Sequence, residues 1–362
     1  MRSILKPALK PAILFAVAAM AALGMSASVR AADPLVIRIG NAGVGVGDRP
    51  FIGGSPAATA HTEKYIEREF ADTPGVTVDF KLVKGSGPAV NEALAARQLD
   101  FAIQGDLPSI VGRASGLKTR IVAASGVRGN IYLVARLDSG IDRLEDIRGK
   151  KVAQFRGTNS HLAVAKAVAS RGLADQDVKF INMDHATAPA AVATGTVDAV
   201  FGKVDYVSLA EQGLAKIVYD SKADPTFTSN AHLLVSEEFE ARHPDIVARV
   251  VKAFVRAAHW SSEEANRDRL FALWAQSGTP VRIYEADFAG QSLKYRNTPL
   301  IDDFLTAAYR EQAKQAKALG LIRAEVDTTT WFEPKYVNQA VADLGLVDYW
   351  PRYGADGRAL SN

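Results

Sequence analysis

The stretch AQFRGTNSHLAVAKAVASRGL, Ala153 to Leu173, holds the residue types best suited to chemistry. An apolar, strand-like run stops at Gly157. Three small polar residues and a histidine follow, and an alanine-rich helical pattern begins. Two chemistries fit. Ser160 beside His161 offers a nucleophile next to a base. Thr158, Asn159 and Ser160 also form the mouth of a helix, where the first amide N–H groups lack internal partners and carry the positive end of the dipole. A small anion is stabilised there. Gly157 lets the backbone approach closely, and Arg156 adds a charge-assisted donor. The same residues also serve as a plain helix cap. The segment alone does not separate capping from binding.

The nucleophile reading is weak on spacing. A serine hydrolase places its serine on a sharp G-x-S-x-G turn, and GTNSH lacks that form. Neighbours in sequence on a helix do not face each other, so His161 is poorly placed to activate Ser160. The six histidines, His61, His161, His185, His232, His243 and His259, show no ligand-like spacing, and no H-E-x-x-H occurs. GNAGVGVGD has Asp48 where a dinucleotide loop needs its last glycine, and no phosphate-binding G-x-x-x-x-G-K-[ST] is present. The residues point to no cofactor and no metal.

Two further stretches repeat the pattern of strand, glycine, cap and helix. QGDLPSI offers Gln104, Gly105 and Asp106, with Pro108 suited to a first helical turn. FIGGSPAATA offers Gly54 and Ser55 ahead of a helix. Three helix mouths at strand ends, converging on one ligand, make a small-anion-binding protein the expectation.

The elements that position these mouths alternate. LVIRIGNAG, VTVDFKLV, DFAIQGD, IVAASGV and IYLVARL read as strands, with helices at ATAHTEKYIEREF and AVNEALAARQL. A second series begins near Ile141 with a short helix IDRLEDIRG closed by Gly149, the strand KKVAQF, and an alternation to AHLLVSEEF. Such alternation implies parallel pairing and an α/β class. From Pro244 the chain turns helical, with Ile246, Val247, Val250, Val251 and Phe254 on one side of a long helix. The tail YGADGRALSN reads as a frayed end. The extended stretches 127–136 and 226–236 read as two crossings between two lobes, with a cleft that closes about a hinge. The expected division is 34–129 with 228–362 as lobe 1 and 130–227 as lobe 2.

The 362 residues suit two domains, with 48% hydrophobic and 23% charged residues and no cysteine. The lack of cysteine removes disulfides, thiolate metal sites and cysteine nucleophiles. Arg2, Lys6 and Lys10 precede the apolar PAILFAVAAMAALGM and the small-residue end SVRAAD, which reads as an export signal cut after Ala31. The apolar run falls short of the ~20 residues that span a bilayer. Removing residues 1–31 takes away four cations and no acid, so the formal charge falls from +3 to −1. The mature protein then has no electrostatic case for nucleic acid. It is expected in the periplasm.

Four stretches in order resemble the periplasmic solute-binding proteins for aliphatic sulfonates, taurine and nitrate that serve ABC importers. EALAARQLDFAIQGDLPSI resembles that family's I-D-F and G-D-x-P-P region. IDRLEDIRGKKVAQFRGTNSHLAVAKAVASRGL resembles its D-L-x-G-K-x-V-A segment with a K-G-S-S-S-H-like continuation. AAVATGTVDAVFGKVDYVSLA and KYRNTPL resemble its V-D-A-W-x-x-W-D-P-Y and H-R-x-P segments. The likeness runs from about Leu35 to Leu344.

The resemblance implies a type 2 periplasmic binding fold, two α/β lobes with ligand between them. It also implies a small organic anion as ligand, a membrane permease and an ATPase as partners, and a monomer docking peripherally. It places Gly105 and Asp106 in a first-lobe turn, and Thr158, Asn159, Ser160 and His161 at the mouth receiving the anionic head. Tyr206 falls in the W-x-x-W-D-P-Y region and Arg296 in the H-R-x-P-like segment. Lys203 departs from the aromatic pattern: it is a second cation for the ligand if it faces the cleft, and a solvated surface lysine if it does not. Ser109 stands where the second proline belongs. The ligand stays open among alkanesulfonate, taurine, sulfate ester, nitrate and carboxylate. A sensory binding protein, or an enzyme like the thiamine-pyrimidine synthases on the same fold, remains the alternative; those synthases depend on a cysteine-rich motif.

Overall fold

In the computed structural model the described residues are 34–360. The segment read as an export signal lies outside them. The strands are β1 (Leu35–Ala42), β2 (Val76–Val83), β3 (Phe101–Gly105), β4 (Thr119–Ala124), β5 (Tyr132–Arg136), β6 (Lys151–Gln154), β7 (Lys179–Asn182), β8 (Ala199–Gly202), β9 (Ala215–Asp220) and β10 (Ala231–Ser236). They form two five-stranded sheets, ordered β2-β1-β3-β10-β4 and β7-β6-β8-β5-β9. β3 is buried along its whole length, as its near-continuous apolar run requires of a central strand with helices on both faces.

The chain leaves the first sheet after β4 and enters the second at β5. It returns between β9 and β10. Gly129 and Ser229, one on each passage, exchange backbone hydrogen bonds of 2.8 and 2.9 Å. This explains one departure from the expected all-parallel pairing. β1, β2 and β3 run parallel, as do β6, β7 and β8, but β10 and β5 pair antiparallel with their neighbours. A strand arriving from the other sheet enters from the opposite end and must run the other way.

Three local differences have physical reasons. The helix expected over ATAHTEKYIEREF is two helices, Pro56–Thr62 and Tyr65–Glu69, separated at Lys64 with φ +53, and the break turns Ile66 into the core. IDRLEDIRG holds only a 3-10 turn, Leu144–Ile147, whose start is held by the Asp146 carboxylate. The tail is pinned rather than frayed as far as it is described, through Leu360. Trp350 is buried and donates to Ser262 Oγ at 2.9 Å, and Tyr353 pairs its backbone with Ala359.

The largest core joins the first sheet to the helical C-terminal part. The helix Pro244–Ser262 buries Val247, Val250, Val251, Phe254, Val255 and Ala258 against it. Each large apolar side chain removed from water here contributes about 1.5–3 kcal/mol. Leu162, from the helix following β6, belongs to the same core, so the two sheet units are packed together.

Inside that core His232 bridges three elements. The Tyr309 hydroxyl donates to Nδ1, Nε2 lies 2.8 Å from Ser109 Oγ, and Ser109 Oγ donates to the Gly105 carbonyl at 2.9 Å. Those roles require neutral imidazole with its proton on Nε2. Burial pushes the His232 pKa down to about 3. The unfolded chain, with histidine near 6.5, therefore binds the proton first as pH falls. The stability from His232 is complete above about pH 6.5 and is lost as pH falls toward about 3. Chemical denaturation at pH 7.5 and pH 5 is expected to show this loss. In His232→Gln, which keeps one donor and one acceptor, the pH 7.5-to-5 difference should shrink; an unchanged difference would refute the assignment.

Candidate functional site

β6 and β8 are parallel neighbours, with Val152 opposite Ala199 and Ala153 opposite Val200, so both end at the same edge. β6 leads through 155–158 into the helix Asn159–Ala169, and β8 leads through Gly202 into Lys203. The strands that lead to the helix mouth and to Lys203 thus end about one strand spacing, ~4.8 Å, apart.

Gly157 takes φ +77, and a Cβ there would lie 3.3 Å from Pro88 Cγ of the first sheet unit. Glycine meets both the left-handed backbone and the close approach. Thr158 is the N-cap in extended conformation, yet its Oγ1 donates to the Phe155 carbonyl at 2.7 Å and lies 3.1 Å from Ser160 Oγ. No side chain caps this helix, and its first turn contains no acid. The sequence choice between capping and binding is thereby narrowed: these hydroxyls do not cap. Ser160 and His161 share no hydrogen bond among the described residues. His161 Nδ1 instead accepts the Gly157 N–H at 3.2 Å, and burial, with Arg156 nearby, holds its pKa below the ordinary histidine range. Neutral His161 therefore carries its proton on Nε2.

The first sheet brings a second mouth to the same place. β3 ends at Gly105, and the helix Asp106–Ala114 follows. A Cβ on Gly105 would lie 2.0 Å from Asn159 Cβ, so the two helix starts touch. Here glycine is required by contact alone, since φ is −80. Asp106 fills its own mouth. Its carboxylate accepts from Leu107 N (2.8 Å), Asn230 N (3.0 Å) and Gln312 Nε2 (2.9 Å). It is a tie between the turn, the returning strand and a C-terminal helix, not a free ligand contact. Burial raises its pKa above the ordinary carboxylate range. Gln104 donates to Asn91 Oδ1 at 3.0 Å, while its Oε1 is buried with no hydrogen-bond partner among the described residues. The third mouth, at Gly54 and Ser55, begins a helix of only seven residues. Ser55 caps nothing and packs on Gly126.

Two expected donors point elsewhere. Arg156 is exposed and pairs with Asp175 at 3.6 Å, because its backbone N–H is held to Asn182 and the side chain faces solvent. The Tyr206 hydroxyl bonds His185 Nδ1 at 2.9 Å, and its ring occupies the space a Cβ on Gly202 would need, 1.9 Å away. Tyr206 is therefore a wall.

Arg296 is buried and enters this wall. Its Nη1 donates to Asp287 Oδ2 at 2.7 Å, and its guanidinium lies 3.8 Å from the Phe288 ring centre. Asp287 also accepts from Asn130 Nδ2 at 2.8 Å and from the Tyr132 hydroxyl. Lys203 sits deep beside them with part of its surface accessible. Among the described residues no hydrogen bond or ion pair holds its ammonium. Burial lowers its pKa, opposed by Asp205, Asp106 and Asp287 and assisted by Arg296. Sequence reasoning missed Asp287, Asn130 and Ser125, whose buried Oγ has no partner among the described residues at the end of β4. Asn130 and Asp287 are 157 positions apart, and no local pattern marks either.

Comparison with known proteins gives this geometry a context. The model of the family described as NMT1/THI5 like matches residues 66–266, more than half of the chain. The chain belongs to this family. An aliphatic sulfonates-binding protein of Bacillus subtilis is 31% identical over 213 residues, which cover 58% of this chain and 63% of that protein. The match thus spans less than two thirds of that relative's length. The solved periplasmic sulfonate-binding protein SsuA of Methylobacillus flagellatus superposes with a TM-score of 0.77 at 29% identity, covering 89% of this chain and 98% of its own. The desulfurization enzyme DSZB shares the fold at 16% identity and a TM-score of 0.64, covering 85% of this chain and 99% of its own. The expected class, two α/β units of the periplasmic-binding type, is what the structure has.

Because Asn159 Cβ cannot rotate away, Gly105→Ala should force the seam apart. The expected outcome is a larger radius of gyration in small-angle scattering and a stability loss of about 1–3 kcal/mol. Asn159→Gly in the same chain should restore both; if Gly105→Ala alone keeps the compact radius, the contact does not hold the seam.

Proposed function

We propose that this protein is the extracytoplasmic solute-binding component of an ABC importer. It would close two lobes, 34–129 with 228–362 and 130–227, over a small organic anion with a sulfonate-like head, then present the closed form to a permease driven by an ATPase. One observation carries the reading: of the two longer helix starts that meet at the seam, one is filled by Asp106 and the other is open. The open mouth, Asn159–Ala169, has no acid and no capping side chain, and Lys203 stands beside it. Unfilled amide N–H groups at a helix start, in a water-poor seam with a cation alongside, are a seat for one anion.

The names of the similar proteins support the ligand class. SsuA of Methylobacillus flagellatus is a periplasmic protein of a sulfonate ABC transporter, and the Bacillus relative is a sulfonates-binding protein. The basic and apolar start of the chain supports export to the periplasm. The reading is one of binding without catalysis. Ser160 Oγ is paired with Thr158, and the Nδ1 of His161 is used by Gly157. The Ser109–His232 pair is buried and supports the Gly105 carbonyl.

Thermal shift and calorimetry with sulfonates, sulfate esters, nitrate and carboxylates should show one site with micromolar or tighter binding for at least one anion. Asn159→Asp sets the sharper test. A carboxylate in the first turn suits the helix by about 0.3–1 kcal/mol, so the unliganded protein should melt no lower. Anion affinity should fall by at least about a hundredfold, since the introduced charge repels the ligand and competes for its donors. Undiminished affinity in this variant would remove the open mouth as the seat.

A further inference from the structure

Lys203 creates an electrostatic imbalance that a singly charged sulfonate does not resolve. In the wall behind the helix mouth, Arg296 and Asp287 neutralise each other at 2.7 Å. Asp287 is further occupied by Asn130 and Tyr132. The turn that begins at Lys203 packs through Val204 on the helix Val281–Phe288, which carries Asp287. Of the acids around Lys203, Asp287 is already used, and Asp205, which acts on it most strongly, forms no hydrogen bond or ion pair with it among the described residues. An ammonium removed from water without a partner costs free energy. A lysine is kept at such a position at low cost only when a mobile anion completes it. Burial lowers the Lys203 pKa, which reports the same deficit. The open helix mouth follows β6, whose end lies one strand spacing from the end of β8, the strand that leads into Lys203. Two positive poles face the seam side by side, and one of them already receives the anionic head.

Resting on the proposed binding function, we infer that the natural ligand carries two acidic groups: a sulfonate-like head for the mouth at Asn159 and Ser160, and a carboxylate, about two methylenes away, for Lys203. A neutral alkyl tail would leave the ammonium buried and unpaired. An amine-ended tail, as in taurine, would place like charges together. Lys203 is thus a specificity-determining residue.

Isothermal titration with propane-1-sulfonate, 3-sulfopropanoate and taurine separates these cases. The wild-type protein should bind 3-sulfopropanoate at least about tenfold more tightly than propane-1-sulfonate, and taurine most weakly. Lys203→Met should bring 3-sulfopropanoate and propane-1-sulfonate to within about threefold of each other, whatever it does to the affinity for the sulfonate head. Its melting temperature should not fall, because an unpaired charge is removed, and this checks that the variant folds. Equal affinities in the wild type, taurine bound most tightly, or a preference that persists in Lys203→Met overturns the inference. If propane-1-sulfonate binds without any preference for the diacid, only this inference fails. If none of the three binds, it fails together with the sulfonate reading on which it rests.

Discussion

The carboxylate of Asp106 decides how the seam works. Two helices of ordinary length begin there within contact distance, at Asp106 and at Asn159. Both offer unpaired amides and the positive end of a dipole. Asp106 satisfies the first from within and uses its remaining acceptor capacity on Asn230 and Gln312. This makes it a fixed strut between the returning strand and the C-terminal helices. Among the described residues no acid fills the second mouth in the same way. An internal anion makes one helix start structural, and its absence at the other leaves a place for an external anion.

The remaining architecture serves this asymmetry. Hydrogen bonds between Gly129 and Ser229 tie together the two passages that join the sheets. Asn230 holds Asp106 through its backbone and the Arg128 N–H through its side chain at 3.1 Å. The Arg128 guanidinium lies 4.2–4.4 Å from the ring centres of Tyr295, Phe304 and Tyr353. Cation–π contact with three rings suits a buried arginine, whose charge burial otherwise disfavours. The C-terminal tail thus clamps the passage between the sheets, a role its polar composition conceals.

Local pattern revealed what local chemistry determines. The strand–glycine–helix grammar of FRGTNSH and QGDLPS was legible, as were Gly157 as a point of close approach and Lys203 as a departure from an aromatic pattern; that Gly105 is also a close contact was not. Partners distant in sequence were not. GDLPS shows an acid at a helix start, but not that Asn230 and Gln312 occupy it. Arg156 sits beside the mouth in sequence, yet Asp175 and Asn182 turn it outward. Ser109 reads as a missing proline, while the fold makes it the link between His232 and Gly105. The antiparallel entry of β5 and β10 follows from the crossing of the chain, which strand periodicity does not record.

The central claim is that the open mouth at Asn159, not the filled one at Asp106, holds the anion. A crystal structure with a bound alkanesulfonate tests it most directly. The account predicts sulfonate oxygens within hydrogen-bond distance of the backbone N–H groups of Asn159 and Ser160, with Asp106 still bound to Leu107, Asn230 and Gln312. A sulfonate seated elsewhere, or one that displaces the Asp106 contacts, would contradict it.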